Sequence, residues 1–255
     1  MESQTLEGTR DRQQSDSTAW LVSGALFVFM SAGVIFTVAP KIDLAVANWF
    51  FLTGGVFIGN APAVELVRNL FKILFVATCV AAVLGLASSH LTKRPWFGMS
   101  SARCLFLLSC LVIGPGVVAN LALKDQWGRA RPSAVIEFGG TKSFSGPLAV
   151  SQQCKKNCSF VSGEASSIFM IFFAGVFLFK KRAAPLLVVG LISGSIAGLI
   201  RMAQGGHFLS DVIFAGVAMA LTAALIYRLF EELVSEFKDV DADWVTQQPP
   251  LTGQP

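Results

Sequence analysis

The residues best suited to chemistry lie in one polar stretch, 201–211, which joins two long uncharged runs. It contains Arg201, His207 and Asp211, and His207 is one of only two histidines in the chain. If Ser210 and Asp211 lie in the first turns of a following helix, His207 and Asp211 are spaced i, i+4, and the carboxylate can hold one imidazole nitrogen protonated. The other nitrogen is then free to attack. Taken alone, the stretch also fits two membrane helix ends anchored by Arg201 and Asp211 around a histidine in a loop.

The composition indicates that membrane helices must position this stretch. Of the 255 residues, 53% are hydrophobic and only 14% are charged, and the mean hydropathy is +0.62. A soluble domain of this length does not need so much apolar surface, so we predict an all-α, polytopic membrane protein. There is no basic stripe with interleaved aromatic residues and no zinc-ligand spacing, so we expect no nucleic-acid partner, no metal and no cofactor.

The uncharged runs predict a bundle of six transmembrane helices of about 20 residues each. These helices are expected at about 17–40, 61–89, 104–123, 160–180, 183–200 and 210–229. Residues 41–60, with Asp43 and Trp49, are typical of an interfacial segment rather than a span. The membrane domain then covers 20–230, and the polar tails at 1–19 and 231–255 are expected to be disordered.

The second predicted span carries three charged residues near its start. Glu65, Arg68 and Lys72 are spaced i, i+3 and i+7, which places them on one helical face that should point to protein or lipid headgroups rather than acyl chains. The alternative is a span that begins later, at Ile73. We favour the longer helix.

The distribution of lysine and arginine predicts the orientation of the bundle. One side of a six-span arrangement holds Arg10, Arg12, Lys93, Arg94, Arg103, Lys180, Lys181, Arg182, Arg228 and Lys238, and the positive-inside rule makes that side cytoplasmic. The opposite side holds Lys124, Arg129, Arg131, Lys142, Lys155, Lys156 and Arg201. Basic residues placed against the orientation bias need another reason, and an anionic ligand is the simplest.

Six spans bring three separated stretches to that opposite face: 124–132, 162–164 and 201–211. Their residue types suit phosphate. Lys124, Arg131 and Arg201 supply permanent positive charge, and the arginines can donate two hydrogen bonds to phosphate oxygens. The amides of Ser162, Gly163 and Glu164 would form a helix N-terminus, which is a ready anion site.

The three stretches together resemble the signature of the type 2 phosphatidic acid phosphatase superfamily, the metal-independent lipid phosphatases related to vanadium haloperoxidases. The resemblance rests on Lys124-(six residues)-Arg131-Pro132, on Ser162-Gly163 opening a helix, and on Arg201-(five residues)-His207-(three residues)-Asp211. It implies a six-helix core in which His207 is the nucleophile that forms a phosphohistidine and Asp211 orients it. Lys124, Arg131, Ser162, Gly163 and Arg201 would bind the phosphate.

The middle motif departs from the family pattern, which usually has Pro-Ser-Gly-His, because this chain has Val161-Ser162-Gly163-Glu164. The family histidine protonates the leaving alkoxide. A buried glutamic acid can do the same if its pKa is raised, although nearby arginines oppose that shift. Two interpretations therefore remain: an active phosphatase, or a non-catalytic relative that binds or transports lipid. We favour the phosphatase.

The Ser-Gly-Glu variant and the cysteine-rich loop before it resemble the lipid A 4'-phosphatase branch of the superfamily. That branch implies a lipid phosphate substrate in the bilayer of a bacterial inner membrane and an active site that faces the periplasm. Phosphatidylglycerophosphate and undecaprenyl diphosphate are substrates of relatives with the same phosphate ligands, so they are the alternatives.

The loop before the middle motif also contains Cys154 and Cys158, four residues apart. The predicted orientation places this loop outside the cytoplasm, where disulfides persist. Four-residue spacing can meet disulfide geometry in a tight or helical turn, so we predict that these two cysteines can form a bond close to Ser162. A metal site is the weaker alternative.

Overall fold

The computed structural model describes residues 2–52, 54–92 and 99–246. The protein is a helical bundle in which α1 is Glu2–Val38, α2 is Lys41–Asn48, α3 is Pro62–Thr92, α4 is Ser101–Leu111, α5 is Asp125–Trp127, α6 is Gly163–Leu178, α7 is Ala183–Ala203 and α8 is Leu209–Thr246. A π-helical stretch, Val112–Lys124, continues α4 without a break, and it contains Pro115. The predicted all-α membrane fold is confirmed.

Five of these helical segments are long and apolar enough to cross a membrane: Ala19–Val38, Pro62–Thr92, Ser101–Ala134, Lys180–Ala203 and Leu209–Glu232. The sixth expected span is α6, which has 16 residues and so extends only about 24 Å, less than the roughly 30 Å of a hydrocarbon core. Within the described residues, the expectation of six full-length spans is therefore corrected to five long helices and one short apolar helix.

Helix α6 occupies the centre of the bundle, where α7 and α8 pack against it. Most of its side chains are buried, including Phe169 and Phe173. Helix α7 approaches closely because it presents Gly190 and Gly194 to the α6 aromatic rings. The outer helix α3, by contrast, exposes a continuous apolar surface of the kind that lipid covers. Helix α6, which begins at the Ser162-Gly163-Glu164 motif, is thus closely packed by its neighbours.

Helix α3 begins at Pro62, which confirms the longer of the two alternatives for the second span. It carries Glu65 and Arg68 on the side that faces α6 and α7. Residues 41–60 form the eight-residue helix α2 and a short bridge between Phe51 and Phe57, so this segment is too short to span, as predicted. It still reaches into the bundle, because Asp43 is fully buried.

Both polar tails continue the helices next to them. Helix α1 extends back to Glu2 and α8 extends on to Thr246, and the disorder expected at 1–19 and 231–255 stays a prediction. Polar residues next to a formed span need no new helix nucleus, so extension costs less than starting a helix. Residues 1 and 247–255 lie outside the described part of the chain.

Candidate active site

The three stretches that the count of spans placed on one membrane face, 124–132, 162–164 and 201–211, do meet in the structure. The Ser162 amide donates to the Asp211 carbonyl oxygen at 3.2 Å, which joins the start of α6 to the start of α8. The Lys124 Nζ atom lies so near Gly163 that a Cβ there would be 2.9 Å from it, which joins the end of the π-helical stretch to the same point. A side chain at position 163 would require the ends of the Lys124 and Asn120 side chains to move away.

His207 is buried, with 2% of its surface exposed, in the turn between α7 and α8. Its Nδ1 atom lies 2.6 Å from the Ser159 carbonyl oxygen. Because a carbonyl can only accept, this contact places the proton on Nδ1 and leaves the Nε2 lone pair free. Burial lowers the pKa of His207, although Asp211 opposes the shift. The imidazole is therefore neutral near pH 7, the form that can act as a nucleophile.

The expected direct hydrogen bond between Asp211 and His207 is wrong. The Asp211 Oδ2 atom lies 3.7 Å from His207 Nδ1, too far for a hydrogen bond. His207 precedes the first residue of α8, so the i, i+4 relation of a helix does not apply to it. Ser159 links the two residues instead, because its hydroxyl donates to Asp211 while its carbonyl oxygen accepts from the imidazole.

Three cationic side chains come to this site. Lys124 and Arg201 are each 9% exposed, and the Arg201 guanidinium lies close to Gly206 in the turn that leads to His207. Arg201 also donates to Gln204, which in turn donates to Glu65 at 3.0 Å. Arg131 donates from Nη2 and Nε to the Asn157 carbonyl oxygen at 2.8 and 3.2 Å. Protein contacts therefore fix both arginines before any ligand binds.

Two buried polar atoms at this point have no hydrogen-bond partner among the described residues: Ser162 Oγ and Arg201 Nε. Buried donors are normally satisfied, so two unpartnered donors in a site that also holds cationic side chains indicate a ligand with acceptor oxygens. The start of α6 adds its unpaired backbone amides and the positive end of its dipole. This arrangement suits a phosphate group.

Glu164 lies against arginine side chains, as considered from the sequence. Its carboxylate accepts from Arg68 at 2.7 and 2.9 Å, and its Oε1 lies 3.6 Å from Arg201 Nε. Arg68 also donates to Glu65. In this structure Glu164 is therefore a hydrogen-bond acceptor between two guanidinium groups, and it can deliver a proton only after Arg68 releases it.

Four contacting residues were not predicted as part of the site: Arg68, Ser159, Arg129 and Asp43. The sequence carried a signal for two of them, because Arg68 is a charge on the protein-facing side of a span and Arg129 is a basic residue on the unexpected side. Ser159 contributes through its backbone carbonyl, which sequence does not reveal. Asp43 is distant in sequence from all three motif stretches.

Cys154 and Cys158 are joined in a disulfide, with their Cα atoms 5.6 Å apart. The bridged turn contains Asn157, whose carbonyl oxygen binds Arg131 and whose amide donates to Asp125 at 3.1 Å. The bond therefore closes the turn that fixes one arginine of the site.

We expect Cys154→Ser to lower activity by roughly fivefold, about the value of one hydrogen bond that holds Arg131, while the melting temperature changes little because so short a loop gains little from closure. Activity and thermal unfolding of the variant, with Cys79→Ser as the matched control at a free thiol, measure this. Non-reducing mass spectrometry of protein from intact membranes should show the crosslink. Two free thiols there would contradict the prediction.

Comparisons with known proteins agree with this geometry. The family model described as the PAP2 superfamily matches residues 103–235. A lipid A 4'-phosphatase of Francisella tularensis subsp. novicida (strain U112) is 35% identical over 211 residues, which cover 80% of this chain and 93% of that protein. A lipid A 4'-phosphatase of Rhizobium leguminosarum is 29% identical, over 77% of this chain and 91% of that protein.

A solved structure shows a related fold. The transmembrane PAP2 type phosphatidylglycerolphosphate phosphatase of Bacillus subtilis superposes with a TM-score of 0.50 at 19% identity, over 84% of this chain and 96% of that chain. At this identity the likeness concerns the arrangement of the helices, and it agrees with a multi-pass membrane bundle.

Proposed function

Since the chain belongs to the PAP2 superfamily and is a membrane lipid phosphatase, we propose that it removes the 4'-phosphate from lipid A. The names of the relatives that match most of the chain support this substrate. The single structural observation that supports a phosphate ester as ligand is a pair of buried side-chain atoms in the same site as His207. These atoms, Ser162 Oγ and Arg201 Nε, have no hydrogen-bond partner among the described residues.

The proposed reaction has two steps. The His207 Nε2 lone pair attacks phosphorus, the bond from phosphorus to the sugar oxygen breaks, and the leaving oxygen takes a proton, which leaves a phosphohistidine. Water then attacks phosphorus, the bond to nitrogen breaks, and inorganic phosphate leaves. Lys124, Arg131 and Arg201 bind the phosphoryl oxygens in both steps and stabilise their charge, with the amides at the start of α6.

The leaving-group proton is assigned to Glu164. Glu164 follows Ser162 and Gly163 directly, so it sits beside the phosphate ligands. The incoming phosphate competes with its carboxylate for Arg68 and Arg201, and an anion placed next to a carboxylate favours the protonated form. Substrate binding thus releases Glu164 from its ion pair and supplies the acid at the step that needs it.

We further propose that the active site faces the periplasm of a bacterial inner membrane. The positive-inside rule supports this orientation, since the short basic turn at Lys180, Lys181 and Arg182 lies at the opposite end of α6 from Gly163. The disulfide between Cys154 and Cys158 agrees with an oxidising compartment on the active-site side.

We expect purified protein in mixed micelles to release phosphate from lipid A faster than from phosphatidylglycerophosphate or undecaprenyl diphosphate, by on the order of tenfold or more. Release should persist in excess EDTA and be inhibited by vanadate, because side-chain cations rather than a metal ion stabilise the phosphoryl group. Phosphate release with each lipid, with and without chelator, measures both. A faster rate on another lipid would show that lipid A is not the preferred substrate. Full loss of activity on chelation would overturn the metal-independent mechanism.

A further inference from the structure

Asp43 belongs to the interfacial segment between the first two spans and lies outside the residues that match the family model. It is nevertheless fully buried, and its oxygens accept from Ser210 twice: Oδ1 from the amide at 2.9 Å and Oδ2 from the hydroxyl. Ser210 stands next to Asp211 in the first turn of α8. The first turn of the helix that follows His207 is therefore held by a residue from far away in the sequence.

Arg129 connects Asp43 to Asp211. Its guanidinium donates to Asp43 Oδ2 at 2.8 Å from Nη2, and to Asp211 Oδ1 from Nη1. The same Nη1 donates to the Ser210 hydroxyl at 2.9 Å, and the group lies 4.4 Å from the Phe208 ring centre. Arg129 is fully buried, so solvent cannot substitute for any of these partners.

The charges in this buried cluster act on His207 through Asp211, in addition to burial and the cations Lys124 and Arg201. Asp211 alone would favour a positive imidazole, but the Arg129 charge bonded to it would cancel most of that effect. Asp43 supplies a second carboxylate, so two carboxylates and one guanidinium leave one net negative charge. A phosphohistidine that keeps its Nδ1 proton carries a positive ring. The cluster, whose three charged side chains are fully buried, therefore neutralises that ring.

We propose that Asp43 and Arg129 are positioning residues for the phosphoryl-transfer step: together they fix Asp211 and the turn that bears His207, and Asp43 provides the negative charge that Arg129 would otherwise remove. Neither residue reaches the phosphate. Their effect passes through Asp211 and Ser159 to the imidazole. This inference rests on the proposed phosphatase function, and it adds the interfacial segment to the catalytic machinery.

The test uses Asp43→Asn, which keeps the shape and an acceptor oxygen but removes the charge. We expect kcat on lipid A to fall about 10- to 100-fold, as is usual for groups that orient a functional histidine from behind, while KM stays within about twofold. Glu137→Gln removes an exposed carboxylate from the same face and serves as the matched control, with unchanged kcat. Thermal unfolding of each purified variant separates loss of folded protein from loss of rate.

Ser210→Ala covers the case in which Asp43→Asn does not fold, because it keeps every charge and removes only the hydroxyl that Asp43 and Arg129 share. Its kcat should fall about twofold to tenfold, the effect of one hydrogen bond. Unchanged kcat in folded Asp43→Asn, or in Ser210→Ala, would overturn the proposal.

Vanadate binding separates this proposal from the proposed function. Orthovanadate bound at His207 requires the same positive ring, so its affinity should fall about tenfold in Asp43→Asn. If the wild-type protein releases phosphate from no lipid, the proposed function fails, but vanadate titration of wild type against Asp43→Asn still decides the role of Asp43. Equal vanadate affinities would contradict it.

Discussion

Replacing His207 by alanine is expected to lower phosphate release by on the order of 10⁴-fold or more, because the variant has no nucleophile to form the covalent intermediate. The neighbouring residues should keep their places, since Asp211 retains its contacts with Arg129, Ser159 and the Phe208 amide. Substrate binding should therefore survive the substitution. Phosphate release from lipid A and the binding of lipid A itself to the variant, measured side by side, give the two quantities.

The other histidine provides the matched control. His90 is exposed near the end of α3, far along the helix from Arg68, so His90→Ala should leave the rate unchanged. A non-catalytic lipid-binding relative would respond differently, because loss of His207 would change little that can be measured. Residual release within tenfold of wild type in folded His207→Ala would exclude His207 as the nucleophile.

The second large effect is expected for Glu164→Gln. Glutamine keeps the shape of the side chain but cannot protonate a leaving oxygen, so the rate on lipid A should fall by on the order of 10²-fold or more. The sugar alkoxide is a poor leaving group and depends on that proton. An activated aryl phosphate does not, so with that substrate the loss should shrink to below about tenfold. Rates on the two substrates, measured on one preparation, give the ratio.

The ion pair with Arg68 supplies the competing explanation. If Glu164 only holds Arg68 and Arg201 in place, Glu164→Gln should lower both rates equally, and Arg68→Gln should produce the same pattern. If Glu164 is the general acid, Arg68→Gln should leave unchanged the ratio of the rates on lipid A and on the aryl phosphate. Equal losses on both substrates in Glu164→Gln would remove the general-acid assignment.

Much of the site could be predicted because the number of membrane crossings determines which loops lie on the same side of the membrane. Uncharged runs set the number of crossings, and an odd or even count decides which loops share a face, so 124–132, 162–164 and 201–211 could be brought together from sequence. Their residue types then indicated phosphate. The short helix α6 was harder, since apolar composition extends past its ends and does not reveal where the backbone leaves the helix.

The contacts that orient His207 could not be predicted. A spacing of i, i+4 implies a hydrogen bond only when both residues are helical, and α8 begins two residues after His207. The partner that replaces Asp211 is a backbone carbonyl at Ser159, and every residue type has one. The carboxylate of Asp43 contacts Arg129 and Ser210 only because the chain folds the interfacial segment back into the bundle. Contacts between residues so far apart in sequence need the fold.

The most direct test is to trap the covalent intermediate. Wild-type protein would be mixed with lipid A that carries a radioactive 4'-phosphate, quenched in alkali to preserve phosphorus–nitrogen bonds, and digested for peptide mapping. Label should appear on the peptide that contains His207, and it should be absent from His207→Ala and present in Glu164→Gln with the activated aryl phosphate as donor. Label on another residue, or turnover by wild type with no labelled protein at any time, would contradict the phosphohistidine mechanism.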